Sequence, residues 1–79
     1  RFVLGERHAN VAVAKNNLAT VYQLQGRLEE AEKLFVEALG MLRESLGEEH
    51  PFTYSVYRNL AETREMIVER GIGSPGQPQ

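Results

Sequence analysis

The 79 residues contain no cysteine and no aspartate, and all eleven acidic residues are glutamate. Without cysteine there is no disulfide and no thiolate ligand for a structural metal, and the redox compartment is left open, with the cytoplasm as the expected location. Without aspartate the usual third member of a Ser-His-Asp triad is gone, and so is the Asp-rich calcium loop. No apolar run approaches the roughly 20 residues that span a bilayer. Arg1-Phe2-Val3-Leu4-Gly5 lacks the apolar stretch of a signal peptide and reads as the end of a helix that starts earlier. A net charge of −2 points to neither nucleic acid nor an anionic membrane. A chain this short buries a modest share of its surface, so helix packing, neighbouring segments or self-association must stabilise it.

What the sequence does contain is a repeat. Leu4-Gly5-Glu6-Arg7-His8 returns 42 residues later as Leu46-Gly47-Glu48-Glu49-His50, and Asn17-Leu18-Ala19 returns at the same offset as Asn59-Leu60-Ala61. Periods of about 20 to 50 residues mark stacked arrays in which each unit buries its apolar face on the next. The fold class expected is all-α: antiparallel helix-turn-helix repeats stacked as a short α-solenoid of about one and a half units and three helices.

Turn signals set the expected boundaries. Residues 1–8 read as the end of a preceding helix and a linker, and 9–46 as one complete helix pair. Residues 47–70 read as a linker and capping helix, and 71–79 as a disordered tail rich in glycine and proline. The first helix starts near Ala9 or Asn10 and ends at Gly26, which reaches left-handed backbone angles without steric penalty. Val11, Ala14, Leu18, Val21 and Tyr22 form its expected packing stripe. The second helix runs from Leu28 to Leu46 with Ala31, Leu34, Phe35, Ala38, Leu42 and Leu46 as its stripe. Glu29, Glu30 and Glu32 favour its positive end, and Glu29 stands four residues before Lys33 in the good order for an ion pair. Pro51 opens the third helix, with Tyr57, Leu60, Ala61 and Ile67 as its stripe to about Arg70. Ala19, Ala31 and Ala38 are the small residues that let two helices cross closely.

Leu18, Ala19, Tyr22 and Gly26, followed by Ala31, Phe35 and Ala38, carry a resemblance to the tetratricopeptide repeat in its 42-residue, kinesin-light-chain-like form. Leu46-Gly47 with His50-Pro51 is similar to that form's linker. The resemblance implies a scaffold for protein–protein interaction, with no catalytic role and no cofactor. It places a peptide or a partner's helix on a concave face lined by the first helix of each pair. The implied contacts are Val13, Asn16, Asn17, Thr20, Gln23 and Leu24, then Ser55, Arg58, Asn59, Glu62, Glu65 and Met66. Asn17 and Asn59 are the strongest candidates, because an amide offers a donor and an acceptor to a peptide backbone; the competing role for each is a bond that only holds the stack. Arg64 replaces an expected aromatic and Val68 the turn glycine, and Arg64, Glu65, Glu69 and Arg70 then form the wet face of a terminal cap. The basic clamp of carboxylate-binding members is missing, with Asn16 in place of a lysine and Arg58 alone in the second copy. The alternative function is a structural cap, or a segment that self-associates through exposed repeat ends as a homo-oligomer.

Other signals are weak. Gly71-Ile72-Gly73-Ser74-Pro75-Gly76 spells a dinucleotide fingerprint but lacks the strand before it and the helix after it. His8 and His50 occupy equivalent linker positions and fit a hydrogen bond at the turn better than a metal. Glu29-Glu30 and Glu48-Glu49 are solvated charges, Met41 and Met66 fill gaps or line the groove, and Ser45, Ser55 and Ser74 have no adjacent base.

Overall fold

The computed structural model describes the backbone of residues 4–73 and the side-chain surroundings of residues 9–71. Three helices follow one another: α1, Leu4–Leu24; α2, Leu28–Ser45; and α3, Pro51–Gly73. Among the described residues there is no strand. α2 lies in the middle and packs against both neighbours, each antiparallel to it, as expected of stacked helical hairpins.

The two turns are made by the two glycines with positive φ, Gly26 at 82° and Gly47 at 90°. At the first, the Arg27 amide donates to the Tyr22 carbonyl at 2.9 Å and the Gly26 amide to the Gln23 carbonyl at 3.1 Å. That pair of bonds is the Schellman arrangement, which satisfies carbonyls that the helix end would otherwise orphan. Arg27 then turns back, its guanidinium 4.3 Å from the centre of the Tyr22 ring and in a two-pronged pair with Glu30 at 2.7 and 2.8 Å. That hydrogen bond holds the Glu30 carboxyl below its ordinary range. At the second turn His50 caps α3: its Nδ1 accepts from the Phe52 amide at 3.0 Å. His8 lies outside the residues with described side chains.

α1 begins at Leu4, earlier than the expected Ala9, so residues 4–8 are helical where a linker was expected. The cause lies one residue past each histidine. Pro51 disfavours helical angles at His50 and forces a start there, whereas Ala9 places no such limit on His8. α3 likewise continues to Gly73, so Gly71 and its two successors are helical; the remaining tail, 74–79, lies outside the described residues.

The core is one cluster. Ala12 and Ala19 of α1 meet Ala31, Phe35, Ala38, Leu39 and Leu42 of α2, and Val56 and Leu60 of α3 close the other side. The expected stripe of α2 is confirmed at Ala31, Phe35, Ala38 and Leu42, all fully buried. Those of α1 and α3 need correction. Val11, Leu18 and Val21 are 45%, 44% and 47% exposed, and Tyr57 and Ala61 are exposed as well. α3 instead buries Thr53, Val56, Leu60 and Thr63, which stand 42 residues after Val11, Ala14, Leu18 and Val21. Both helices flank the same α2, α1 with the side that faces its successor and α3 with the side that faces its predecessor. Residues 42 apart therefore exchange roles.

Ion pairs complete the packing. Lys15 Nζ donates to Glu37 Oε1 at 2.9 Å, tying α1 to α2 and holding the Glu37 carboxyl below its ordinary range. Glu29 pairs with Arg70 of α3, not with Lys33, and Arg64 reaches Glu32 at 2.8 Å. Two of the four residues expected on a wet face thus bridge to α2.

Two stability outcomes follow from this packing. Ala38→Leu should overfill the α1–α2 crossing and lower the unfolding free energy by about 1–3 kcal/mol in urea. Thr53→Val should raise it by about 1 kcal/mol, because the buried Thr53 hydroxyl finds no partner among the described residues.

Candidate binding face

The side of the molecule shared by α1 and α3 carries the residues expected to meet a ligand. The structure divides them into two groups. Asn16, Gln23 and Asn59 are half-buried and engaged with one another's helix. Asn59 Nδ2 donates to Asn16 Oδ1 at 3.2 Å. Gln23 Nε2 donates to Thr63 Oγ1 at 3.0 Å and contacts the Met66 sulfur at 3.6 Å. Thr63 in turn donates to the Asn59 carbonyl at 2.8 Å. The result is a polar seam running along the line where α1 and α3 meet above α2.

The second group is exposed. Asn17, Arg58 and Glu62 make no side-chain hydrogen bond or ion pair among the described residues, and Val13, Leu24, Ser55 and Glu65 stand in the open beside them. Thr20 is half-buried and bonds back to the Asn16 carbonyl at 3.0 Å. The two leading candidates therefore part company: Asn59 is in the seam and Asn17 on the surface. Their sequence offset is 42, whereas the amide pair that forms is Asn16 with Asn59. One helical step separates Asn17 from Asn16, and it is enough to turn one amide inward and leave the other out.

α3 also borders a shallow depression of about 480 Å³ lined by Tyr54, Tyr57, Arg58, Asn59, Glu62 and Glu65. The Tyr54 and Tyr57 rings stack at 6.4 Å with 29° between their planes. These tyrosines were not among the expected ligand contacts, and Tyr57 was placed in the core. The missed signal is the register: Tyr54 stands 42 residues after Ala12, which α2 buries, and among the described residues no helix covers this side of α3.

The chemistry available is that of recognition. The exposed part of α1 offers amides, a hydroxyl and apolar side chains, and α3 adds two tyrosines, one guanidinium and two carboxylates. Among the described residues there is no group of three potential metal ligands of the His, Cys, Asp or Glu type. No described helix is long and apolar enough to cross a membrane.

Comparison with known families adds one finding. A family model described as tetratricopeptide repeat matches residues 1–67. No curated protein and no solved structure matches the chain.

The seam predicts a measurable coupling. Asn16→Ala and Asn59→Ala should each cost about 1 kcal/mol of stability, and the double variant should cost about 0.5–1 kcal/mol less than their sum. For a domain of this size each kilocalorie is about 4–8 °C in Tm, so calorimetry of the four proteins reads the coupling directly.

Proposed function

We propose that this chain, which belongs to the tetratricopeptide repeat family, holds an extended peptide or a partner's helix on the face shared by α1 and α3. The family is one of protein-interaction scaffolds, and the 42-residue spacing supports the kinesin-light-chain-like form of it. One observation carries the reading. This chain pairs charges between helices at Lys15–Glu37, Arg64–Glu32 and Arg70–Glu29, yet among the described residues Asn17 on α1 and Arg58 and Glu62 on α3 are exposed and make no side-chain hydrogen bond or ion pair. The Asn16–Asn59 seam beneath them fixes the spacing of α1 and α3, so these unpaired groups sit on a surface already in shape. A ligand there loses little free energy to rearrangement of the protein.

The ligand is one that carries its own mixed polarity. Arg58 takes a carboxylate or a carbonyl, Glu62 an amide or a cation, and Asn17 both partners of a peptide bond. The stacked tyrosines favour an apolar or proline-type residue next to the charged one.

The second reading, a structural cap with no ligand of its own, is favoured by the end of α3. The helix passes through Val68, where the turn glycine is expected, and Arg64 and Arg70 fasten it to α2. A display library of about 15-residue peptides separates the two readings. On the binding reading it yields ligands whose affinity falls about tenfold in Asn17→Ala and in Arg58→Ala, at unchanged Tm. A library that enriches nothing, or ligands indifferent to both substitutions, would leave the cap.

A further inference from the structure

The chain has two methionines, Met41 and Met66, both half-buried but in different surroundings. Met41 lies on α2 and packs against the apolar core, and no side-chain donor contacts its sulfur among the described residues. Met66 lies on α3 and faces α1 across the polar seam, where Gln23 Nε2 donates to its sulfur at 3.6 Å. An amide nitrogen carries two hydrogens, and Gln23 uses the other on Thr63 Oγ1 at 3.0 Å. Thr63 passes its own proton to the Asn59 carbonyl at 2.8 Å, and the Asn59 amide donates to Asn16 at 3.2 Å. Met66 therefore ends a network that joins α1 to α3. It is also the weakest acceptor there, because a thioether sulfur binds a donor less well than oxygen does.

The two sites differ most in what oxidation would do to them. A peroxide gives one oxygen atom to a thioether. The sulfur lone pair attacks one peroxide oxygen, the O–O bond breaks, and the departing hydroxide takes up a proton and leaves as water. Sulfur loses two electrons, the peroxide gains two, and the product is a sulfoxide, which is polar. At Met41 the new oxygen arrives beside apolar side chains and has no donor to meet. At Met66 a donor is already aimed at the sulfur. The methionine side chain has three rotatable bonds, so a small rotation lets the sulfoxide oxygen take the place of sulfur in front of Gln23.

We propose that Met66 is a redox-sensitive site at which oxidation by a peroxide tightens the α1–α3 seam through Gln23. A weak sulfur contact becomes an N–H···O bond, and the half-buried sulfur leaves the oxidant a way in. The change is reversible in kind, since sulfoxide reductases return methionine sulfoxide to the thioether. It acts on the fastening of α1 to α3 and needs no ligand, so it stands independently of binding on that face.

Hydrogen peroxide treatment of the whole chain, read by peptide mass spectrometry and thermal melting, tests it. Met41→Leu leaves Met66 as the one thioether, and Met66→Leu leaves Met41. In Met41→Leu, Met66 should gain one oxygen and Tm should rise by about 4 °C, the effect of one stronger hydrogen bond in a domain of this size. Adding Gln23→Ala to that background should abolish the rise, and a sulfoxide reductase should reverse it. In Met66→Leu the same treatment should lower Tm. A Met66 that stays reduced while Met41 is consumed would overturn the proposal. So would a Tm that fails to rise in Met41→Leu, or a rise that survives Gln23→Ala.

Discussion

Everything in this fold depends on α2 being buried from two sides at once. Phe35 and Leu42 are fully enclosed, and Leu39 nearly so, in a cluster to which both α1 and α3 contribute. Burying a large apolar side chain contributes roughly 1.5–3 kcal/mol, and a chain of this length has few of them. Neither helical hairpin therefore forms a core by itself; the three helices are one cooperative unit. The alanines matter for the same reason. They add little transfer free energy of their own, but they set a helix separation at which Phe35 loses its contact with water.

The repeat and the turns were legible in the sequence because they rest on local physics. Gly26 and Gly47 stand where φ is positive, and Ala31, Phe35 and Ala38 face the core as their spacing indicates. The packing sides of α1 and α3 were not legible. Each of these helices carries two apolar stripes, at 11, 14, 18 and 21 and at 12 and 19 in α1, and periodicity cannot say which one meets α2. That choice depends on whether α2 comes before or after the helix, a fact of topology and not of composition. The helix starts show a similar limit: equal Leu-Gly-Glu and His signals gave a turn in one copy and continuous helix in the other, because only one is followed by proline.

The hydrogen bonds among the candidate ligand contacts were not legible in the sequence. Residue types and register grouped Asn16, Asn17, Gln23, Arg58, Asn59 and Glu62, and in the structure they lie on α1 and α3, with Asn16, Gln23 and Asn59 half-buried and the others exposed. The division between seam and surface could not be read, since an amide bond between Asn16 and Asn59 spans 43 residues and crosses two helices. Repeats suggest that residues 42 apart do the same work. Here the end positions break that equivalence: Asn59 has a helix before it to bond to, and among the described residues Asn17 has none.

That asymmetry bears on how charge is distributed. α2 and α3 carry most of the ionised groups, and their pairs join the start of α2 to the far half of α3, where apolar contact thins out beyond Leu60. Such pairs are more than a third exposed and individually worth little, but they act where the core has ended and favour one angle of α3 over others. Among the described side chains α1 is fastened by alanine packing and by the Lys15–Glu37 pair, and from Ala9 to Leu24 it carries no other charge. A stretch of α1 with little charge beside the charged α3 gives the molecule two kinds of surface. The exposed side of α3 carries Arg58, Glu62 and Glu65, and a surface of that kind selects by the sign and position of charge, because a mismatched charge is repelled or left unpaired. From Ala9 to Leu24 the exposed side of α1 carries no unpaired charge among the described residues, so shape and apolar contact decide what lies against it.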